Sequence, residues 1–262
     1  METTSRIFPI RAEGAVQADF RTDGRSALSL GEGAVAEYLV LQNEPDNVQQ
    51  EADFDIRLAA GATLDLVFLS LHGGGLRNRI RVSLDGEKAV CNLGGLSVAD
   101  GEERMDYDIV LTHQVPGCRS NQLFKTILSD RSQARFDGLI KVVPDAQQTE
   151  AYQANHNLLC SEEAKAETKP QLEIYADDVK CSHGATVGRL NPDDLFYLRS
   201  RGIPYEEAQL LQQLAFVDEV LARISDPELR EKMADWVEKR LRGEKMPDFF
   251  IFGRNISAST CI

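Results

Sequence analysis

The sequence predicts a mainly β chain that closes with a small α-helical module. Three observations carry this: apolar and polar residues alternate in short bursts from Ala12 to about Leu190, turn dipeptides separate the bursts, and the pattern changes abruptly at Asn191. Phe54, Ile56 and Leu58 alternate with Asp53, Asp55 and Arg57, as side chains on opposite faces of a strand do. Ile80, Val82 and Leu84 alternate in the same way with Arg79, Arg81 and Ser83. Further bursts run from Leu64 to Leu69, Tyr107 to Leu111, Leu123 to Leu128, Ala134 to Val142 and Leu172 to Tyr175. Asp23-Gly24, Gly31-Glu32-Gly33, Ala60-Gly61, Asp85-Gly86, Asp100-Gly101 and Asp137-Gly138 supply turn chemistry between them. The spacing is too irregular to yield a repeat, so periodicity alone leaves a sandwich, a barrel and a β-helix open.

Beyond Asn191 the signals are helical. Asn191 is a good N-cap, Pro192 fits the first turn, Asp193 and Asp194 suit the positive end of the dipole, and Gly202 can close the helix. Pro204, Glu206 and Glu207 start a second helix, with Ala208, Leu211, Leu214 and Ala215 on one face. Asp226-Pro227 starts a third, with Leu229, Met233, Trp236, Val237 and Leu241 on one side and Gly243 beyond its end. That stripe either packs on the second helix or reaches past it to a partner protein. The chain divides into a β unit at 1–190, a helical module at 191–243 and a tail of unassigned role at 244–262.

Composition narrows the function. With 262 residues, 42% hydrophobic and 27% charged, the chain is an ordinary globular one of one or two domains. Apolar runs such as Phe249 to Phe252 are far too short to span a bilayer, so a membrane is not expected. A net charge of −13 repels phosphate backbones and argues against nucleic acid. Five cysteines in no repeating spacing form no disulfide framework, and Met1 to Ile10 lacks the basic start and apolar stretch of a secretory signal. A reducing, cytoplasmic compartment is expected. Asn255-Ile256-Ser257 is then a chance glycosylation match, and Cys261 is misplaced for prenylation.

Familiar enzyme signatures are missing: no phosphate loop, no His-Glu-x-x-His helix, no Gly-x-Ser-x-Gly elbow and no Cys-x-x-Cys pair. His72-Gly73-Gly74-Gly75 reads as a tight corner, since Arg77, Arg79 and Arg81 after it alternate as a strand would. Lys180-Cys181-Ser182-His183-Gly184 stands out, because residues two apart on a strand face the same side and present a thiol and an imidazole together. Those donors suit iron, zinc or an iron-sulfur cluster, but two donors do not complete a site; the alternative is a buried structural cysteine beside a hydrogen-bonded histidine. His113 and Cys118 flank a Pro-Gly turn, where His113 reads as loop support, and His156 in Asn155-His156-Asn157 reads as a turn or ladder residue. Asp177 and Asp178 point to opposite faces if extended, against a two-carboxylate glycosidase.

The run from Thr168 to Gly188, with Leu195 to Ile203 downstream and Ser120 to Lys125 and Asn155 to Leu159 upstream, closely resembles the SufD family of the SUF (SufBCD) iron-sulfur cluster assembly scaffold. The resemblance covers roughly half the chain. It implies a right-handed parallel β-helix followed by a small C-terminal α-helical domain, and a non-catalytic scaffold subunit. It implies pairing with SufB through the β-helices and binding of the ATPase SufC through the helical domain, where ATPase activity would reside. A nascent iron-sulfur cluster or iron would sit at the SufB-SufD interface, shared and transient and not held by this chain alone. The family's functional histidine falls on His183 and its accompanying cysteine on Cys181, with SufB supplying the missing donors. The family's N-terminal helical region is expected to be absent, and the tail from Phe249 to Ile262 matches nothing in the family. Two other readings compete: a stand-alone β-helix enzyme acting on carbohydrate, with acids and bases along one exposed groove, and a homodimeric binding module without cluster chemistry.

Overall fold

The computed structural model describes residues 6–20, 24–45 and 48–244, so the tail from 245, with Asn255 and Cys261, lies outside the described residues. The even strands β4 (Val35–Asn43), β6 (Thr63–His72), β8 (Val90–Ala99), β10 (Arg119–Leu128), β12 (Thr149–Leu159) and β14 (Val179–Arg189) stack in that order into one sheet, here sheet A. The odd strands β3 (Arg25–Leu30), β5 (Gln49–Leu58), β7 (Gly75–Leu84), β9 (Arg104–His113), β11 (Gln133–Val142) and β13 (Lys165–Ile174) stack into sheet B. Neighbours within both stacks run parallel. The chain alternates between sheets at every corner, which makes a parallel β-helix, the fold implied by the resemblance. Stacked residues such as Asp65 and Asn92, or Gln122 and Gln153, are 27 to 31 positions apart, and this drift hides the repeat in the sequence.

The two ends of the stack differ. At the first coil, β1 (Arg6–Glu13) runs antiparallel to β4 and β2 (Val16–Phe20) runs antiparallel to β3, so both sheet edges are covered. At the last coil, β13 and β14 are themselves the edges.

Inside the coils an aromatic stack runs along the axis. Phe54 meets Phe68 at a centroid distance of 5.1 Å, Tyr107 meets Phe124 at 5.0 Å, and Phe124 meets Phe136 at 5.3 Å. The first two contacts are edge-on, which suits the ring quadrupole, and the third is tilted. Gly95 makes room for them, since a Cβ there would lie 2.2 Å from the ring of Phe124. The outer face of sheet B is a ladder of opposite charges: Glu51 lies opposite Arg77, Arg77 opposite Asp106, Asp106 opposite Arg135 and Arg135 opposite Glu167. Cross-strand neighbours of opposite sign stabilise the pairing and fix its register.

The helices are α1 (Pro192–Ser200), α2 (Tyr205–Leu221) and α3 (Pro227–Leu241). The side chains of Asn191 and Asp226 accept from Asp193 N and Leu229 N at 3.0 and 2.9 Å, capping α1 and α3 as expected. The α3 stripe of Leu229, Met233, Trp236 and Val237 packs neither on α2 alone nor on a partner. It joins Val217, Val220 and Leu221 of α2 over Leu39, Leu41, Val67, Leu69, Leu96, Val98, Leu123 and Ile127 on the outer face of sheet A. The buried face of α2 includes Ala208 as expected but otherwise differs, using Leu210, Val217, Val220 and Leu221 and leaving Leu211 exposed. Sheet A offers a wide apolar surface, and the helices bury it. None of the described helices is long and apolar enough to cross a membrane.

Candidate functional site

The last coil presents two free edges of different character. On sheet B, β13 carries Lys165, Glu167, Lys169 and Glu173, with Pro170 in its middle. Charges and proline are the usual means by which an edge strand resists further pairing. On sheet A, β14 carries no charge from Cys181 to Gly188 and no proline, and Ser182 to Arg189 are exposed. A long, flat, uncharged edge is a template for another strand.

Cys181 and His183 sit on this edge. Cys181 pairs in register with Ala151 and is half-buried among Ile140, Val142, Ala146, Ala151 and Ala176, so it faces the interior of the coils. Two residues on, His183 shares that face and pairs in register with Gln153; it is exposed, with no further coil over it among the described residues. Burial pushes the Cys181 thiol above its ordinary range, against an opposing hydrogen bond from the backbone at Ala151. The structure therefore brings the two donors to one face, and it adds no third: no cluster of three or more His, Cys, Asp or Glu suited to a metal occurs among the described residues. Held by this chain alone, the pair falls short of a four-donor site.

The other histidines are structural. His113 is fully buried, with Nε2 2.9 Å from Ser120 Oγ, and burial lowers its pKa to about 4, so it is neutral. The Cys118 thiol donates instead to Gly86 O, so these two do not act together. His156 lies opposite Thr186 in the ladder, its Nδ1 2.8 Å from Thr186 Oγ1; burial and the nearby Lys125 charge lower its pKa. His72 leads into the corner at Gly73, where φ is +146° and the Gly73 N–H donates to Glu103. Asp177 and Asp178 are exposed corner residues, with the Asp178 N–H donating to Gln147 Oε1.

Sequence reasoning passed over two features of the helical module. The first is a set of cationic latches to sheet A. Arg240 is 8% exposed, and its guanidinium donates to Leu71 O, to Asp100 at 2.7 Å and to Glu103 at 2.6 Å. Arg223 reaches Leu93 O and Asn121, and Lys125 reaches Phe216 O at 2.9 Å and Glu219 at 2.7 Å. The second is α1, which buries no residue. Phe196 is 76% exposed and Tyr197 57%, with Tyr205 and Leu211 nearby on α2 also exposed. Two adjacent aromatics in a helix without an apolar stripe were the available signal for it.

Comparison with known proteins places these features in a context. The family model for SUF system FeS cluster assembly, SufBD core domain, matches residues 10–216. The chain is 38% identical over 222 residues to the iron-sulfur cluster assembly protein SufD of Escherichia coli, covering 85% of this chain and 52% of that protein. It is 33% identical over 215 residues to an iron-sulfur cluster assembly SufBD family protein of Synechocystis, covering 82% and 48%. A SufBD family protein of Mycobacterium leprae is 32% identical over 192 residues, covering 70% and 49%. The chain spans about half the length of these relatives.

Proposed function

The chain belongs to the SUF iron-sulfur cluster assembly family through its SufBD core domain, and from that premise we propose that it is a non-catalytic, cytoplasmic scaffold subunit of the SufD type. It pairs with SufB by strand addition at β14, and it presents Cys181 and His183 to iron or a nascent cluster that is cargo at the shared interface. The observation that carries this reading is the contrast between the uncharged β14 edge and the defended β13 edge, with an incomplete donor pair on the former. SufB completes both the sheet and the donor set. The outer face of sheet B supports the scaffold over a carbohydrate enzyme, because acids and bases lie opposite one another along the ladder and Arg79 is committed to Glu51 and Asp53.

SufC docks on the helical module. The α2 and α3 apolar faces are committed to sheet A, so the surface open to SufC is α1 with Phe196 and Tyr197. Exposed aromatics are the residues most often found as binding anchors.

Anaerobic reconstitution with SufB and SufC tests the proposal. His183→Ala is expected to abolish cluster absorbance while SufB still co-purifies, since one lost donor lowers metal affinity by orders of magnitude and leaves a stacked fold intact. Cys181→Ser is equally severe if the thiol is a ligand and mild if it is a neighbour. Full assembly by His183→Ala overturns the metal role. Phe196→Glu is expected to weaken SufC binding by about tenfold or more with SufB pairing unchanged.

A further inference from the structure

The interior face of sheet A carries a column of residues in register: Leu93, Gln122, Gln153 and His183. Gln122 is 1% exposed and Gln153 is 3% exposed, so both amides are out of water. Amides stacked in parallel, in-register strands join into a ladder in which each donates one way and accepts from the other. Here Gln153 Nε2 donates to Gln122 Oε1 at 3.1 Å, which turns Gln153 Oε1 away from Gln122. That oxygen has no hydrogen-bond partner. Turning the Gln153 amide alone would set two acceptors against each other, and at the other end of the pair Gln122 Nε2 likewise has no partner. Gly138 opens the wall beside it, as a Cβ there would lie 2.6 Å from Gln153 Nε2. A buried acceptor left unpaired costs free energy, and the next side chain along the column is the imidazole of His183, on a strand about 4.8 Å away.

We infer that Gln153 is a positioning residue for His183: its Oε1 accepts the imidazole N–H, fixes the tautomer and leaves the other ring nitrogen aimed at the open end. Only side-chain rotation of His183 is needed, because the register already places the two residues together. The inference rests on the proposed function for the importance of His183, but its readout requires neither partner nor cluster, so the two can fail separately. Loss of assembly in His183→Ala with no effect at Gln153 would leave the scaffold reading standing and remove this one.

The test uses the full chain with nitrogen-15 histidine at about pH 8.5, and the tautomer ratio is read from the shifts of the two ring nitrogens. The His183 resonances are assigned by their loss in His183→Ala. In the native chain one tautomer should exceed the other by about tenfold, in line with a hydrogen bond of about 1.4 kcal/mol. Gln153→Met keeps the volume without the acceptor, and Gln153→Asn withdraws it by one methylene. Both should return His183 to the tautomer ratio of a histidine in a short unstructured peptide. A folded Gln153→Met chain with the native ratio overturns the inference. Should the Gln153 variants not fold, the reciprocal measurement decides. His183→Ala lies on an exposed strand, and it should shift the Gln153 side-chain amide resonances; unchanged resonances overturn the inference as well.

Discussion

At its N-terminal end the β-helix is closed by strands that run against it, β1 on β4 and β2 on β3, whereas at the other end β13 and β14 run with it and stop. The closed end and the middle coils are packed on both sides of sheet A, by the aromatic stack inside and by α2 and α3 outside. Along β14 almost nothing is buried. The difference teaches where this sequence spends its packing and where it holds strand pairing in reserve. In a stacked fold each coil is supported by its neighbours, so a terminal coil can be left open without endangering the rest.

The comparison breaks most readily under core truncation. Phe124→Ala, in the aromatic stack, is expected to cost about 3–5 kcal/mol in denaturant unfolding, and His183→Ala less than about 0.5 kcal/mol. Similar costs at the two positions would show that the open coil is structural after all. Arg240→Ala should cost nearly as much as the Phe124 change, about 3 kcal/mol or more, because it leaves Glu103, 6% exposed, without its main cationic partner. It should also loosen α3 from sheet A, seen as faster amide exchange in α3 with the coils still protected.

The third prediction concerns pH. The folded-state pKa of His113 is lowered to about 4 by burial, below an ordinary value of 6.5. Between those values the unfolded chain binds more protons, so the contribution of His113 is complete above about pH 6.5 and is lost as pH falls towards about 4, amounting to about 3 kcal/mol across the window. His113→Gln should flatten that part of the stability profile, whereas His183→Ala at the open end should leave it unchanged. The smallest effect is expected on the charged face. Arg77→Glu places like charges beside Glu51 and Asp106 and should cost about 1 kcal/mol, shrinking as salt is added.

The same comparison explains what could be read from the sequence. Alternation revealed β5, β7, β9 and β11 and only the last residues of β13, because sheet B has a packed inner face and a charged outer one. In sheet A the bursts fell on β6 and β10 but not on β4, β8 or β12. Leu39, Val40 and Leu41 are all buried, as are Leu93 to Ala99, since the helices cover what would otherwise be the polar side. A strand buried on both faces has little period of two to detect, and β6 and β10, buried in the same way, stood out as apolar runs. The helix caps were legible because Asn191, Asp226 and the following prolines act locally, while the docking of α2 and α3 depends on residues more than a hundred positions away. Cys181 and His183 were legible as a same-face pair, but their position at a free edge was not, because an edge is a property of the whole stack.

The most direct test of the open edge is the affinity for SufB of two proline variants, Gly184→Pro and Ala185→Pro. Adjacent residues in a parallel strand turn their N–H groups to opposite sides, so one of the two prolines spares the ladder with β12 and removes only an outward-facing donor. That variant should melt like the native chain and bind SufB at least about tenfold more weakly, as a strand-addition interface loses a central hydrogen bond and gains a steric block. Native SufB affinity in both folded variants would contradict the assignment of β14 as the pairing edge.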